Sequence, residues 1–282
     1  MLLPSFDYLV PETVDEALSM WRGRPGSAYM LGGTDLLPQM RAGKKTYSRM
    51  IDIKRIPDLQ ILREEPGGSL FIGAAVPMAA IETHPAILAR FPILAECCRT
   101  VGAWPLRNRA TLSGNICNAS PAADTAVALL AMDARVATMG PAGQRVIPIA
   151  DFFLGPGKSA LSAGELVTEI ILPAPASPWR GQYLRLARRK GMDLATVGVL
   201  VARTDENGHS RHRVALAAVA PTPIRVREAE ELLDREGIAA SAGRAAAIAA
   251  AASCPITDLR GTAEYRREMV GVLVRRGLVG LS

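Results

Sequence analysis

Apolar positions in the first third of the chain fall into short, differently spaced groups that predict alternating helices and strands. Val14, Ala17, Leu18 and Trp21 recur at helical spacing. Thr13 precedes them with Glu16 three residues later, an N-terminal capping pattern. Residues 27–31 form a compact apolar run that ends in Gly32-Gly33, after which residues 34–41 resume a helical pattern. This reads as strand, tight turn and helix, with Pro38 tolerable only in a first turn. Residues 49–53 and 70–74 predict further strands, separated by the breaker Pro66-Gly67-Gly68. Two helical stretches are expected between residues 77 and 101, broken at His84-Pro85 and Phe91-Pro92. Residues 107–124 are polar and rich in Gly, Asn and Ser, yet they lie between apolar elements. A long loop of small residues in such a place points to a ligand.

Short strands resume over residues 134–149 and 165–172, and Pro173-Ala174-Pro175-Ala176-Ser177-Pro178 reads as a linker. The expected division is therefore 1–175 and 179–282. In the second part, residues 182–188, 194–204 and 213–220 predict strands, with Asn207-Gly208 as a hairpin turn because both residues tolerate positive φ. Helices are expected over 226–235, 239–253 and 263–276. In the last of these, Tyr265, Met269, Val272, Leu273 and Arg276 share one helical spacing. The pattern as a whole predicts an α+β protein whose second part is a small antiparallel sheet covered by helices.

Composition narrows the function classes. A chain of 282 residues with 49% hydrophobic and 21% charged residues buries a sizeable core. The net charge of +6 arises from 33 basic against 27 acidic residues spread along the chain, without the basic-aromatic interleaving of a nucleic-acid surface. No nucleic-acid partner is expected. No apolar run reaches the ~18 residues of a membrane span, and the first residues lack a signal-peptide pattern, so the expected location is cytoplasmic. Cys97, Cys98, Cys117 and Cys254 have no metal-ligand spacing, and His84, His209 and His212 form no catalytic arrangement. No catalytic residue or metal ligand is assigned. Gly155-Pro156-Gly157-Lys158-Ser159 imitates the tail of a phosphate-binding loop, but the motif needs a glycine where Phe152 stands.

Two loops carry the candidate chemistry. Gly32-Gly33 lets the backbone approach a ligand closely and turns N–H groups towards an anion, and Thr34 and Asp35 lie at the positive end of the following helix. The second loop brings Gly114 for close approach and Thr111, Ser113, Asn115 and Ser120 as hydrogen-bonding groups. Asp124 falls in the first turn of a helix that Ser120-Pro121 is expected to open, where a carboxylate caps the helix or accepts from a ribose hydroxyl.

Leu31-Gly32-Gly33-Thr34-Asp35-Leu36, Thr111-Leu112-Ser113-Gly114-Asn115 and Asn118-Ala119-Ser120-Pro121-Ala122-Ala123-Asp124 together resemble the FAD-binding medium subunit of the xanthine dehydrogenase and carbon monoxide dehydrogenase family. The likeness continues through Gly155-Pro156-Gly157-Lys158, Glu165-Leu166-Val167, Tyr183-Leu184-Arg185 and Ala220-Pro221-Thr222-Pro223. It implies an FAD domain of the vanillyl-alcohol-oxidase type, with two α/β subdomains around an extended FAD, followed by the family's C-terminal flavoprotein domain. By the same likeness, Met30 through Leu36 would hold the pyrophosphate and Thr111 through Asn115 would complete the cradle. Asp124 would meet the adenosine end, and Val167 and Arg185 would lie near the flavin, where a cation offsets charge on the reduced ring. The family carries two glycines where this chain has Ser113-Gly114. Relatives acting on 4-hydroxybenzoyl-CoA add a cysteine-bearing loop for a [4Fe–4S] cluster, which this sequence lacks.

The implied partners are a molybdopterin-bearing large subunit and a small subunit with [2Fe–2S] clusters, with NAD⁺, a quinone or another acceptor taking the electrons. Two other readings differ in what they predict. A free-standing FAD oxidoreductase would turn over an organic substrate alone, and a scaffold protein of the same fold would bind no flavin.

Overall fold

The computed structural model describes residues 2–189 and 191–281. The first unit is a three-stranded parallel sheet with Arg49–Asp52 in the centre, flanked by Asp7–Leu9 and Ser27–Met30. The helix Val14–Trp21 carries the chain from one edge strand to the other, and the helix Leu36–Arg41 makes the crossover between the parallel neighbours Ser27–Met30 and Arg49–Asp52. The Thr13 hydroxyl caps Val14–Trp21 by accepting the Glu16 N–H at 3.1 Å. Ala17 is buried, and Val14, Leu18 and Trp21 pack on the same core, the face expected from their spacing. The helix Leu36–Arg41 follows the strand Ser27–Met30, and Met30, Met40 and Met50 form a small cluster beneath it.

The second unit is a five-stranded antiparallel sheet in the order Leu62–Glu64, Leu70–Gly73, Leu166–Leu172, Arg135–Gly140, Gly143–Pro148. Its central strand comes last in sequence, so this unit closes only when residues 166–172 return to it. Residues 78–100 make three short helices rather than two, Met78–Ile81, Pro85–Arg90 and Pro92–Thr100. Both His84-Pro85 and Phe91-Pro92 start a new helix, since proline is favoured in a first turn. The segment expected as one long loop also contains the helix Leu112–Cys117. The next helix is Asp124–Ala131, beginning at Asp124 itself and not at Ser120-Pro121. All eight of its residues are buried. The phosphate-loop imitation folds as a two-stranded hairpin, Phe153–Gly155 with Lys158–Ser159.

The third unit is a four-stranded antiparallel sheet, Arg180–Leu186, Val197–Glu206, His209–Ala217 and Ile224–Arg225 in that order. Asn207 and Gly208 both have positive φ, 51° and 79°, as the hairpin required. Side-chain alternation splits the strands between two cores. Val199, Val201, Val214 and Leu216 face the helices Arg227–Ala252 and Ala263–Val279. Leu200, Ala202, Ala215 and Ala217 face the larger core shared with Asp124–Ala131. Gly237, at φ 76° and ψ 164°, divides Arg227–Ala252 into the two helical segments expected there. Among the described residues no helix is long and apolar enough to cross a membrane.

Candidate functional site

The strand Ser27–Met30 ends against a cavity of about 550 Å³ that runs between the first two units and reaches residues 192–194 of the third. Residues 30–36 form one wall. Gly33 takes a left-handed φ of 69°, which turns the chain into the helix Leu36–Arg41. Among the described residues, the backbone N–H groups of Gly32, Gly33, Thr34, Asp35 and Leu36 donate to no other protein group. Five adjacent unmatched donors on a concave wall are suited to an anion with several oxygens.

The opposite wall is the second loop. It is anchored to the core where the Met78 N–H donates to the Ala110 carbonyl at 2.9 Å. Thr111 caps the helix Leu112–Cys117, its hydroxyl accepting the Gly114 N–H at 3.0 Å. A β-carbon placed on Gly114 would meet only that hydroxyl within 4 Å, so the glycine opens onto free space. Gly32 differs. A β-carbon there would lie 2.2 Å from the Arg109 carbonyl oxygen and 2.8 Å from its carbon. Gly32 therefore allows the two loops to touch backbone to backbone. A second link crosses the cavity floor, where the Gln39 amide donates to Asn118 Oδ1 at 3.1 Å. Thr125 donates to Asn115 Oδ1 at 2.7 Å, which fixes the amide and leaves its NH₂ to serve the cavity.

Two buried carboxylates complete the lining. Glu165 accepts from Arg145 Nε and Nη2 at 2.6 and 2.5 Å, from Thr138 at 2.5 Å and from the Ser162 N–H at 2.7 Å. Burial alone would raise its pKa, but these donors outweigh burial and hold the carboxyl at about 2 instead of 4.5. A lowered folded-state value gives stability that is complete above pH 4.5 and lost as pH falls towards 2. Glu165→Gln is expected to cost about 2 kcal/mol at neutral pH. It should also flatten the decline in melting temperature between pH 4.5 and 2, as read by thermal denaturation at a series of pH values.

Asp124 accepts from the Tyr183 hydroxyl at 2.6 Å and pairs with Arg185 at 3.2 Å. Burial still raises its carboxyl above the ordinary aspartate value. Arg185 also donates to the carbonyl of Asp193, one of the cavity residues of the third unit. Asp124 is thus held by its protein partners. Ala123 stands at the cap position and makes no side-chain cap, while Ser120 Oγ accepts the Ala122 N–H at 3.2 Å in a local turn.

Met30, Leu31, Gly32, Gly33, Thr34, Asp35, Leu36, Thr111, Gly114, Asn115, Ser120, Asp124 and Val167 all line the cavity. Ser113 and Arg185 do not. Ser113 is 1% exposed, its side chain turned away by the short helix that residues 112–117 form. Arg185 stands behind the wall, holding Asp124 and Asp193. Sequence reasoning missed Lys45, Tyr47, Val101, Gly102, Leu106 and residues 192–194, all of which line the cavity. Cys117 lines it as well, and burial pushes its thiol up to about 12, so the sulfur stays protonated.

Two sequence families account for nearly the whole chain. Residues 4–175 match the FAD binding domain in molybdopterin dehydrogenase, and residues 182–280 match the CO dehydrogenase flavoprotein C-terminal domain. The carbon monoxide dehydrogenase medium chain of Hydrogenophaga pseudoflava is 37% identical over 281 residues, covering 99% of this chain and 97% of that one. The nicotine 6-hydroxylase medium subunit of Paenarthrobacter nicotinovorans is 32% identical, with 99% and 98% covered. Among solved structures, a chain of the Hydrogenophaga pseudoflava carbon monoxide dehydrogenase lacking the Mo-pyranopterin moiety superposes with a TM-score of 0.93 at 34% identity, covering 99% and 98%. A chain of quinoline 2-oxidoreductase from Pseudomonas putida 86 gives 0.92 at 26% identity, with the same coverage.

Proposed function

Because this chain belongs to the FAD-binding medium subunits of the carbon monoxide and xanthine dehydrogenase family, we propose that it relays electrons from [2Fe–2S] clusters on a small partner subunit, through FAD, to an external acceptor such as NAD⁺ or a quinone. It is the FAD-binding component of an oxidoreductase of the molybdenum hydroxylase type. On this reading the oxidised substrate meets a molybdopterin-bearing large subunit.

The observation that carries the reading is the row of five unmatched N–H groups from Gly32 to Leu36, on residues that line one cavity with Gly114. Amide donors of this kind fit a pyrophosphate, and the NH₂ of Asn115 adds a further donor on the opposite wall. FAD supplies one- and two-electron redox chemistry that no side chain of this protein provides. The protein's part is to bind, orient and shield. Residues 30–36 would hold the pyrophosphate with Asn115 opposite, and Val167 would add an apolar wall. Arg185 acts from behind, keeping Asp124 and Asp193 in place.

The test is anaerobic mixing of the FAD-loaded chain with its co-purified partners. The flavin absorbance is expected to bleach on addition of the large subunit's substrate only when the cluster-bearing chain is present. Turnover of an organic substrate by the isolated chain would instead establish a free-standing oxidoreductase.

A further inference from the structure

Five charged side chains line the cavity among the described residues, Asp35, Lys45, Asp124, Glu165 and Asp193. Three have their counter-charge in place. Asp124 pairs with Arg185 at 3.2 Å, Glu165 with Arg145 at 2.5 Å and Asp193 with Arg188 at 3.3 Å. Lys45 is the single cation on the lining among the described residues, and its ammonium takes part in no ion pair or side-chain hydrogen bond. The segment before it is tied to the cavity through Gln39. The neighbouring Lys44 N–H donates to the Gln39 carbonyl at 2.9 Å, and the Gln39 side chain is itself held by Asn118 of the opposite loop.

The amides of Gly32 to Leu36 supply hydrogen bonds but no net charge. A pyrophosphate carries two negative charges, and burying them beside Asp35 without a full positive charge is costly. We propose that Lys45 is the counter-cation of the cofactor's pyrophosphate, completing the anion site that the amides of residues 32–36 begin. The proposal rests on FAD as the cofactor. The competing role for Lys45 is to neutralise Asp35 alone. Desolvation raises the Asp35 carboxyl and Lys45 opposes that rise, so the two groups do sense each other. A variant without the Asp35 charge separates the roles.

The experiment titrates FAD into the full-length chain stripped of flavin, following fluorescence quenching at low and high NaCl, with a thermal melt on each variant. Lys45→Gln is expected to weaken FAD binding about 10-fold at low salt, the loss shrinking to about 3-fold or less at high salt, because a charge contact is screened. Lys45→Arg should bind within about 2-fold of the parent, since it keeps the charge. The loss in Lys45→Gln should persist when Asp35→Asn is also present. Binding of Lys45→Gln within about 2-fold of the parent at low salt overturns the proposal, as does an equal loss at both salts, the mark of a packing effect. A loss that vanishes in the Asp35→Asn background overturns it too, leaving Lys45 as the partner of Asp35. If the parent chain took up no FAD, the cofactor assignment would fall first and the proposal with it.

Discussion

Gly32→Ala is expected to abolish FAD binding in practical terms, weakening it by about 100-fold or more while costing about 3 kcal/mol of stability. The added methyl would sit 2.2 Å from the Arg109 carbonyl oxygen and 3.0 Å from the Ala110 α-carbon. Both neighbours are backbone, so no rotamer change relieves the overlap, and the two loops must move apart. That movement separates the five free amides from Gly114 and Asn115 and widens the cavity at the point where an anion would be gripped. Gly33→Ala is the informative companion. Its backbone φ of 69° makes alanine costly by about 1 kcal/mol, but the nearest contacts, Met30 Sδ at 3.2 Å and Leu37 Cδ1 at 3.3 Å, belong to flexible side chains. A fluorescence titration should therefore rank Gly32→Ala far below Gly33→Ala. Near-parent FAD affinity in Gly32→Ala would show that loop contact is dispensable for binding.

Asp124→Ala is expected to have the largest effect on stability, about 3–5 kcal/mol, because it strands a buried phenol and a mostly buried guanidinium that now share one carboxylate. For a chain of this size that corresponds to a fall in melting temperature of roughly 10 °C. Asp124→Asn should cost far less, since the amide oxygen still accepts from Tyr183. The acid side of the profile gives an independent check. The folded carboxyl titrates above its ordinary value, so ionising it costs stability as pH rises from that ordinary value through the folded one. Asp124→Asn removes this slope. Equal melting temperatures for the alanine and asparagine variants would show that neither Tyr183 nor Arg185 depends on the carboxylate.

Most elements with a strong local signal were legible in the sequence. The Thr13 cap, the Gly32-Gly33 turn and the Asn207-Gly208 hairpin each depend on residues adjacent in the chain, and each is found where its pattern lies. The helix Leu112–Cys117 was hidden because it spans six residues with Gly114 in its middle, and Gly114 also stands three residues after the cap Thr111, where a capping box carries Glu or Gln. That hidden helix also leaves Ser113, expected as a hydrogen-bonding group of the loop, buried and off the cavity lining. Arg185, expected near the flavin, stands off the cavity lining for another reason. Its two partners, Asp124 and Asp193, come from different parts of the chain, and no spacing rule reports a contact across 61 residues of sequence. The same holds for residues 192–194, which reach the cavity from beyond the proline-rich linker.

The helix Asp124–Ala131 has no face left for solvent. One side packs in the core that includes Pro92–Thr100, and the other meets the strands Val197–Glu206 and His209–Ala217 of the third unit. The seam that the proline-rich segment draws in the sequence is therefore no seam in the energetics. A fragment ending near residue 178 would expose apolar surface along this helix that its own remaining residues cannot cover, and it would lose Tyr183 and Arg185 from Asp124 in the same step. The units around the cavity and the C-terminal sheet are thus expected to melt together, as a single transition in calorimetry.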